Sequence, residues 1–292
     1  MHIFITGGTG FIGKALTAHL LSQGHSVTVL TRQNLSGKFP LTFCNNLTDI
    51  QNFNDTDVII NLAGEPIFDK AWTSKQKQIL VDSRIKITQQ LVHLINKSEN
   101  PPKVFLSGSA IGIYGNTTNI ATENTPCDTS FTGQLCKQWE MVASEVKNTQ
   151  TRICFIRTGL VLSPQGGILK RILPIYRLGL GGKIGTGKQH WSWISLEDHI
   201  RAMLFLIEKE KCMGAFNFVA PEIITQETFN HQLATTLHRP AFFHIPTFVL
   251  KFFLKERSQL LLDNQLITPK MLLNQGFKFK HNCLKNYLNK LL

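Results

Sequence analysis

Three glycines near the start of the chain, Gly7, Gly10 and Gly13, stand at the spacing with which a backbone turn holds a pyrophosphate. Gly7 allows the tight turn, Gly10 lets the main chain approach the phosphates, and Gly13 lets a following helix pack on the preceding strand. Thr9, Phe11 and Ile12 complete the turn, at a helix N-terminus whose free N–H groups favour an anion. A turn that binds nothing is the alternative, but a strand before it and a helix after it favour the dinucleotide. About twenty residues further on, Leu30-Thr31-Arg32 ends a second strand. An NAD enzyme places Asp or Glu there to hold the ribose hydroxyls. Here there is no acid, and a guanidinium can grip a 2′-phosphate bidentately. Unless Arg32 is only a surface residue, NADP(H) is expected in preference to NAD(H).

The elements that position these residues alternate. Ile3-Phe-Ile-Thr6 reads as a buried strand, and from Lys14 the apolar residues Ala15, Leu16, Ala18, Leu20 and Leu21 mark a helix, closed at Gly24. His25–Leu30 alternates as a strand, and Asp57–Gly64 is another. The latter ends in Leu62-Ala63-Gly64, small enough for adenine ribose and pyrophosphate to pass the sheet's carboxyl edge. Residues 73–97 predict a long amphipathic helix. Val104-Phe-Leu runs into Ser107-Gly-Ser109 and Tyr114-Gly115, a strand followed by a loop rich in hydroxyls. A helix over about 132–147 and a strand over 152–157 follow. This pattern predicts an α/β fold with a parallel, doubly wound sheet. Residues 1–160 form the dinucleotide domain on this reading. Residues 161–292 form a smaller substrate-side lobe, with segments near 190–220 returning to the sheet. Ser107 and Ser109 either touch cofactor and reacting oxygen at the strand's carboxyl edge or satisfy loop backbone groups.

At 292 residues the chain suits one large α/β unit or one and a half domains, and 42% apolar and 17% charged residues describe an ordinary soluble globular protein. No run approaches a membrane span, and no secretory leader is expected ahead of the first strand. The most apolar stretch, Ala241–Leu254, reads as a buried helix start. The six cysteines include no CxxC pair, so neither a metal site nor a disulfide framework is expected, and a reducing cytoplasm fits. Of the net charge of +12, half lies in the last 42 residues, which hold eight Lys/Arg against Glu256 and Asp263. That excess reads either as a nucleic-acid or anionic-surface patch or as a solvated basic face. Lacking an RNA-binding motif or stacking aromatics, the second is favoured.

Taken together, Thr6–Gly13, Asn61-Leu-Ala-Gly-Glu-Pro66, Asp82-Ser-Arg84, Ser107–Ala110, Tyr114-Gly115 and Arg157-Thr-Gly159 resemble the extended short-chain dehydrogenase/reductase group, the NAD-dependent epimerase/dehydratase superfamily. More closely it looks like the YfcH-type epimerase-family proteins, and the resemblance spans essentially the whole chain, including the C-terminal segment from Arg239. It implies a Rossmann-like fold and hydride transfer with a nicotinamide cofactor. Glu65 and Arg84 would frame that cofactor, or serve as ordinary ion-pair residues. Ser109 aligns with the group's catalytic serine.

The group's acid/base is a tyrosine with a lysine four residues later. The only tyrosines here are 114, 176 and 287, followed at that spacing by Thr118, Leu180 and Leu291. Phe131-Thr132 stands where tyrosine is expected, and Leu135-Cys136-Lys137 where lysine is. Tyr114 is the best remaining proton donor if its ring turns into the cleft; otherwise it packs. His190 is a second candidate donor, or structural.

The reading is an NADP(H)-binding oxidoreductase or epimerase acting on a small carbonyl or hydroxyl substrate, with a nucleotide sugar among the candidates. Its rival is a regulatory dinucleotide-binding protein that has lost catalysis with the Tyr/Lys pair. The expected partner is a small molecule rather than nucleic acid, and the oligomeric state stays open, a dimer included.

Overall fold

His2–Thr6, Val58–Asn61 and Val104–Ala110 are buried almost throughout, as strands covered on both faces must be. In a computed structural model describing residues 1–292, they form the centre of a seven-stranded sheet. The strands are β1 (His2–Thr6), β2 (Ser26–Leu30), β3 (Leu41–Cys44), β4 (Val58–Asn61), β5 (Val104–Ala110), β6 (Arg152–Thr158), and three short ones, β7 (Leu160–Leu162), β8 (Gly182–Ile184) and β9 (Trp193–Ser195), before β10 (Gly214–Phe218). The order in the large sheet is β3-β2-β1-β4-β5-β6-β10, with every pair parallel. The order reverses between β1 and β4, and such a switch point opens a crevice at the strands' carboxyl ends.

Helices α1 (Phe11–Ser22), α2 (Ser74–Lys97), α3 (Phe131–Ala143), α4 (Gly167–Arg177) and α5 (Leu196–Glu208) connect the strands. Leu16 and Leu20 of α1, with Met203 and Leu206 of α5, cover one face of the sheet. Leu91 and Ile95 of α2, with Ala143 of α3, cover the other. Thr73 and Ser130 start α2 and α3 by accepting the Gln76 and Gly133 N–H groups. Helix α3 stops at Ala143, short of residue 147, where the Ser144 hydroxyl bonds back to the Glu140 carbonyl.

A second core gathers Trp193, Phe229 and Tyr287 with side chains of α4, α6 (Gln226–Thr236) and the terminal helix. Trp193 stacks on Tyr287 with ring centroids 5.7 Å apart. Beyond α6 come β11 (Phe243–Ile245), parallel to β8, then α7 (Thr247–Leu254), α8 (Gln259–Leu262), α9 (Lys270–Asn274) and α10 (Leu284–Leu291). The chain recrosses the sheet domain on the way. Ile267 bridges to Ala121, Leu272 and Phe277 enter the first core, and the buried Asp198 carboxylate accepts the N–H groups of Lys280 and His281.

One expectation is corrected. The apolar stretch Ala241–Leu254 does make a helix start, but it is not buried. Within α7 only Leu250 is, and Phe248, Phe252 and Phe253 face outward. Hydrophobicity reported the composition of that face but not whether anything covers it.

Candidate cofactor site and polar network

At Gly7 the backbone is left-handed (φ +71°), and a Cβ there would lie 2.7 Å from the Leu62 carbonyl. The β1–α1 turn is thus pressed against the end of β4. A Cβ on Gly13 would run into Gly7 and stand 2.7 Å from the Gly8 Cα, so the first turn of α1 lies directly on the loop. Gly10 is the N-cap of α1 and is exposed; no side chain caps that helix and no acid lies in its first turn. Uncapped N–H groups with no competing carboxylate make an anion site. The Phe11 ring points elsewhere, against Gly166 and Gly167, where any Cβ on Gly166 would collide with it. Ile12 packs partly buried against the first core, and Thr9 is half-buried in the turn.

A buried chain of hydrogen bonds fixes the crevice floor. Thr6 donates to Asn61 Oδ1 (2.6 Å) and accepts from the Ala63 N–H (3.2 Å). Asn61 and the Trp139 indole both donate to the Thr88 hydroxyl, at 2.8 and 2.9 Å. Gly108 makes room for that indole, since a Cβ would meet it at 2.7 Å. These bonds tie β1, β4, α2 and α3 together, and sequence alone pairs none of them.

Above the floor, Glu65 is gripped from both sides by α2. Its N–H donates to Ser83 Oγ (3.0 Å), and its carbonyl accepts from Arg84 Nη2 (3.1 Å). Arg84 also donates to the Leu80 carbonyl, and a Cβ on Gly64 would meet its guanidinium at 3.0 Å. The guanidinium is therefore a brace for the 64–65 turn, and its burial lowers its pKa. Ser83 was within reach of sequence reading, as the middle of Asp82-Ser-Arg84. The Glu65 carboxylate faces Lys70 at 2.9 Å, and that hydrogen bond holds its carboxyl below the usual range, with Arg32 adding a weaker attraction. Arg32 is exposed and in no ion pair, so its guanidinium is free on this rim.

The hydroxyls of β5 point into a different arrangement. Ser107 is fully buried in the middle of β5, opposite Asn61, the last residue of β4. Ser109 donates to Glu140 Oε1 at 2.6 Å. Glu140 in turn receives Arg157 Nε (2.9 Å) and Nη2 (2.8 Å), a two-pronged ion pair with both side chains largely buried. Arg157 Nη1 donates to the Tyr114 hydroxyl (2.7 Å), which donates to Asn217 Oδ1 (2.6 Å). Burial opposes the Arg157 charge, but Glu140 and Tyr114 raise its pKa above the ordinary value.

Tyr114 is thus engaged on both sides by this network. Its ring is turned into the interior, and burial pushes the phenol up to about 12 despite the adjacent Arg157. Cys136 is buried with its thiol raised to about 11, while Lys137 is exposed. His190 is engaged by Asn264 Oδ1 at 2.8 Å, a structural contact. Where a catalytic tyrosine is expected, Phe131 packs edge-on against Trp72 with ring centroids 5.1 Å apart. The Lys77 ammonium lies 4.9 Å from its centroid and pairs with Glu256 at 2.6 Å. The loop carrying Trp72 is tied to the second core's side of the molecule by Arg257 on the Phe68 carbonyl (2.9 Å) and by an Asp69–Arg171 ion pair.

Switch-point crevice, glycine turn and uncapped helix define a Rossmann-type, dinucleotide-binding α/β protein. Residues 3–218 match the NAD-dependent epimerase/dehydratase family, and residues 245–291 match a domain of unknown function, DUF1731. The chain belongs to that epimerase/dehydratase family, with the fold of an extended short-chain dehydrogenase/reductase. It is 37% identical over 297 residues to an epimerase family protein of Staphylococcus epidermidis, spanning 99% of this chain and 98% of that protein. The human epimerase family protein SDR39U1, solved with NADPH, superposes with a TM-score of 0.92 at 30% identity, over 100% of this chain and 99% of that one. A nucleoside-diphosphate sugar epimerase from Corynebacterium glutamicum gives a TM-score of 0.81 at 27% identity, over 100% of this chain and 58% of the other.

Proposed function

We propose that this protein binds NADP(H) in preference to NAD(H) and acts as an oxidoreductase or epimerase on a small carbonyl or hydroxyl compound, nucleotide sugars included. The observation carrying the reading is the free Arg32 guanidinium at the end of β2, beside the Glu65 rim, where an NAD enzyme would keep a carboxylate. The NADPH solved with human SDR39U1 supports it. On this reading the turn of Gly7, Thr9, Gly10, Phe11, Ile12 and Gly13 holds the pyrophosphate through its backbone. Leu62, Ala63 and Gly64 pass along the adenine ribose, with Arg84 bracing that segment and Glu65 at its edge. Ser107 lies at the inner end. The bound cofactor would supply a hydride acceptor or donor.

Ser109 then orients the substrate oxygen. Because its O–H donates to Glu140, its oxygen is left as an acceptor, which suits a substrate hydroxyl better than a carbonyl. Tyr114 has no part in this step. A second reading, a dinucleotide-responsive binding protein without turnover, is favoured by Phe131 in place of the phenol and by the engagement of both Ser109 and Tyr114 in the Glu140–Arg157 network.

Side-by-side fluorescence titration with NADPH and NADH tests the cofactor. A clear NADPH preference is expected, and equal affinity would sink the Arg32 assignment. A screen of carbonyl and hydroxyl compounds with Ser109→Ala as control then separates the two readings. Turnover lost in the variant supports the enzyme, and tight NADPH binding without any turnover supports the regulator.

A further inference from the structure

Four phenylalanines on one side of the chain's second half are almost wholly in solvent. Phe242, Phe248, Phe252 and Phe253 are between 71% and 89% exposed. They are consecutive in structure, since Phe242 precedes β11 and the other three lie on α7. The pairing of β11 with β8 brings Leu178, itself largely exposed, to the same edge, where Pro240 lies against Gly179. Soluble proteins rarely leave so many large apolar side chains exposed along one short segment without a partner for them.

The charge on this face is one-sided. From Thr228 to Lys255 there is no Asp or Glu, and the acids that bound this stretch, Glu227 and Glu256, are paired with Lys183 and Lys77, while Arg239, Lys251 and Lys255 are exposed cations outside every ion pair. On α7, Phe248, Lys251 and Phe252 recur at helical spacing and share a side. Phenylalanine rings flanked by unpaired lysines match a boundary between anionic headgroups and acyl chains. A second copy of the chain fits poorly. A closed dimer through this face would bring the same cations together, with no acid in the stretch to pair them. No helix is long and apolar enough to cross a membrane, so the contact would lie on a surface.

We infer that the face formed by β11 and α7 docks this protein onto an anionic phospholipid surface, with the α7 phenylalanines entering the headgroup boundary and Lys251 and Lys255 pairing with lipid phosphates. This is independent of the cofactor reading, as none of these residues touches the glycine turn or Arg32.

The test is co-sedimentation of the purified full chain with vesicles of mixed phosphatidylglycerol and phosphatidylcholine, and with phosphatidylcholine alone. Binding to the anionic vesicles and little to the neutral ones is expected. Lys251→Gln and Lys255→Gln should each weaken binding about fivefold, and the double change Phe248→Ser/Phe252→Ser about tenfold or more. All four side chains are exposed, so thermal unfolding of the variants should match the parent. The proposal falls if anionic vesicles fail to bind, or if the phenylalanine variant binds as well as the parent. It falls equally if light scattering finds a dimer that the phenylalanine changes dissociate, since a second copy would then cover the face.

Discussion

Glu140 and Arg157 form a two-pronged ion pair inside the protein, and the same carboxylate accepts a hydrogen bond from Ser109. One interaction therefore joins α3, β6 and the residue aligned with catalysis. Losing the carboxylate charge would leave Arg157 buried and unmatched. Glu140→Gln should cost about 3–5 kcal/mol of stability, read by urea denaturation. The double change Glu140→Leu/Arg157→Leu should cost clearly less than the sum of the two single changes. A loss below about 1 kcal/mol for Glu140→Gln would mean that water or another cation already screens the pair.

Arg32→Glu separates the two dinucleotides. If the guanidinium holds the 2′-phosphate, the change removes a charge-assisted contact and adds repulsion. NADPH should then weaken by about 2 kcal/mol or more, while NADH should change little. Calorimetric titration of both cofactors into parent and variant reads the difference. Equal losses would place the arginine outside the cofactor site.

What was legible in the sequence was local or periodic. The glycine turn and the alternation of strand and helix announce themselves within about thirty residues, and that alternation implies a parallel sheet but not the order of its strands. Arg157 stands in a quoted motif and Glu140 only three residues beyond Lys137, but nothing in the chain announces that they face each other. Tyr114 shows the same difficulty. Its neighbours on the chain suggest a cleft, whereas its hydrogen-bond partner Asn217 lies 103 residues away and turns the ring inward. Helix α7 reverses the case: its apolar residues were plain, and their lack of a covering surface was not.

The glycines can be graded by what surrounds them. Gly13→Ala drives a methyl into the backbone of Gly7 and Gly8, which cannot move without opening the turn. A loss of about 2 kcal/mol or more is expected, with weaker dinucleotide binding. At Gly24, where φ is +79°, an added methyl would meet no atom within 4 Å. Gly24→Ala should cost only the left-handed backbone penalty, about 1 kcal/mol, and leave binding intact. If the two variants lose affinity alike, close packing of the turn is not what the cofactor requires.

His199 gives the fold a pH dependence of defined sign. It is completely buried, with Nε2 3.1 Å from the Thr158 hydroxyl and Nδ1 without a partner. Burial lowers its pKa from 6.5 to about 3. Above pH 6.5 the ring is neutral in both the folded and the unfolded chain, and the stability it permits is fully present. Below that, the unfolded chain binds a proton that the folded chain refuses, so stability falls as pH drops towards 3. The slope from this one group approaches about 1.4 kcal/mol per pH unit. Carboxylates titrate in the same range, so the measurement is a comparison: urea unfolding of parent and His199→Gln at several pH values between about 7 and about 4.5. The variant should have the lower stability at neutral pH but a slope shallower by about one proton. Parallel slopes would mean that the buried imidazole finds a way to take up its proton without unfolding.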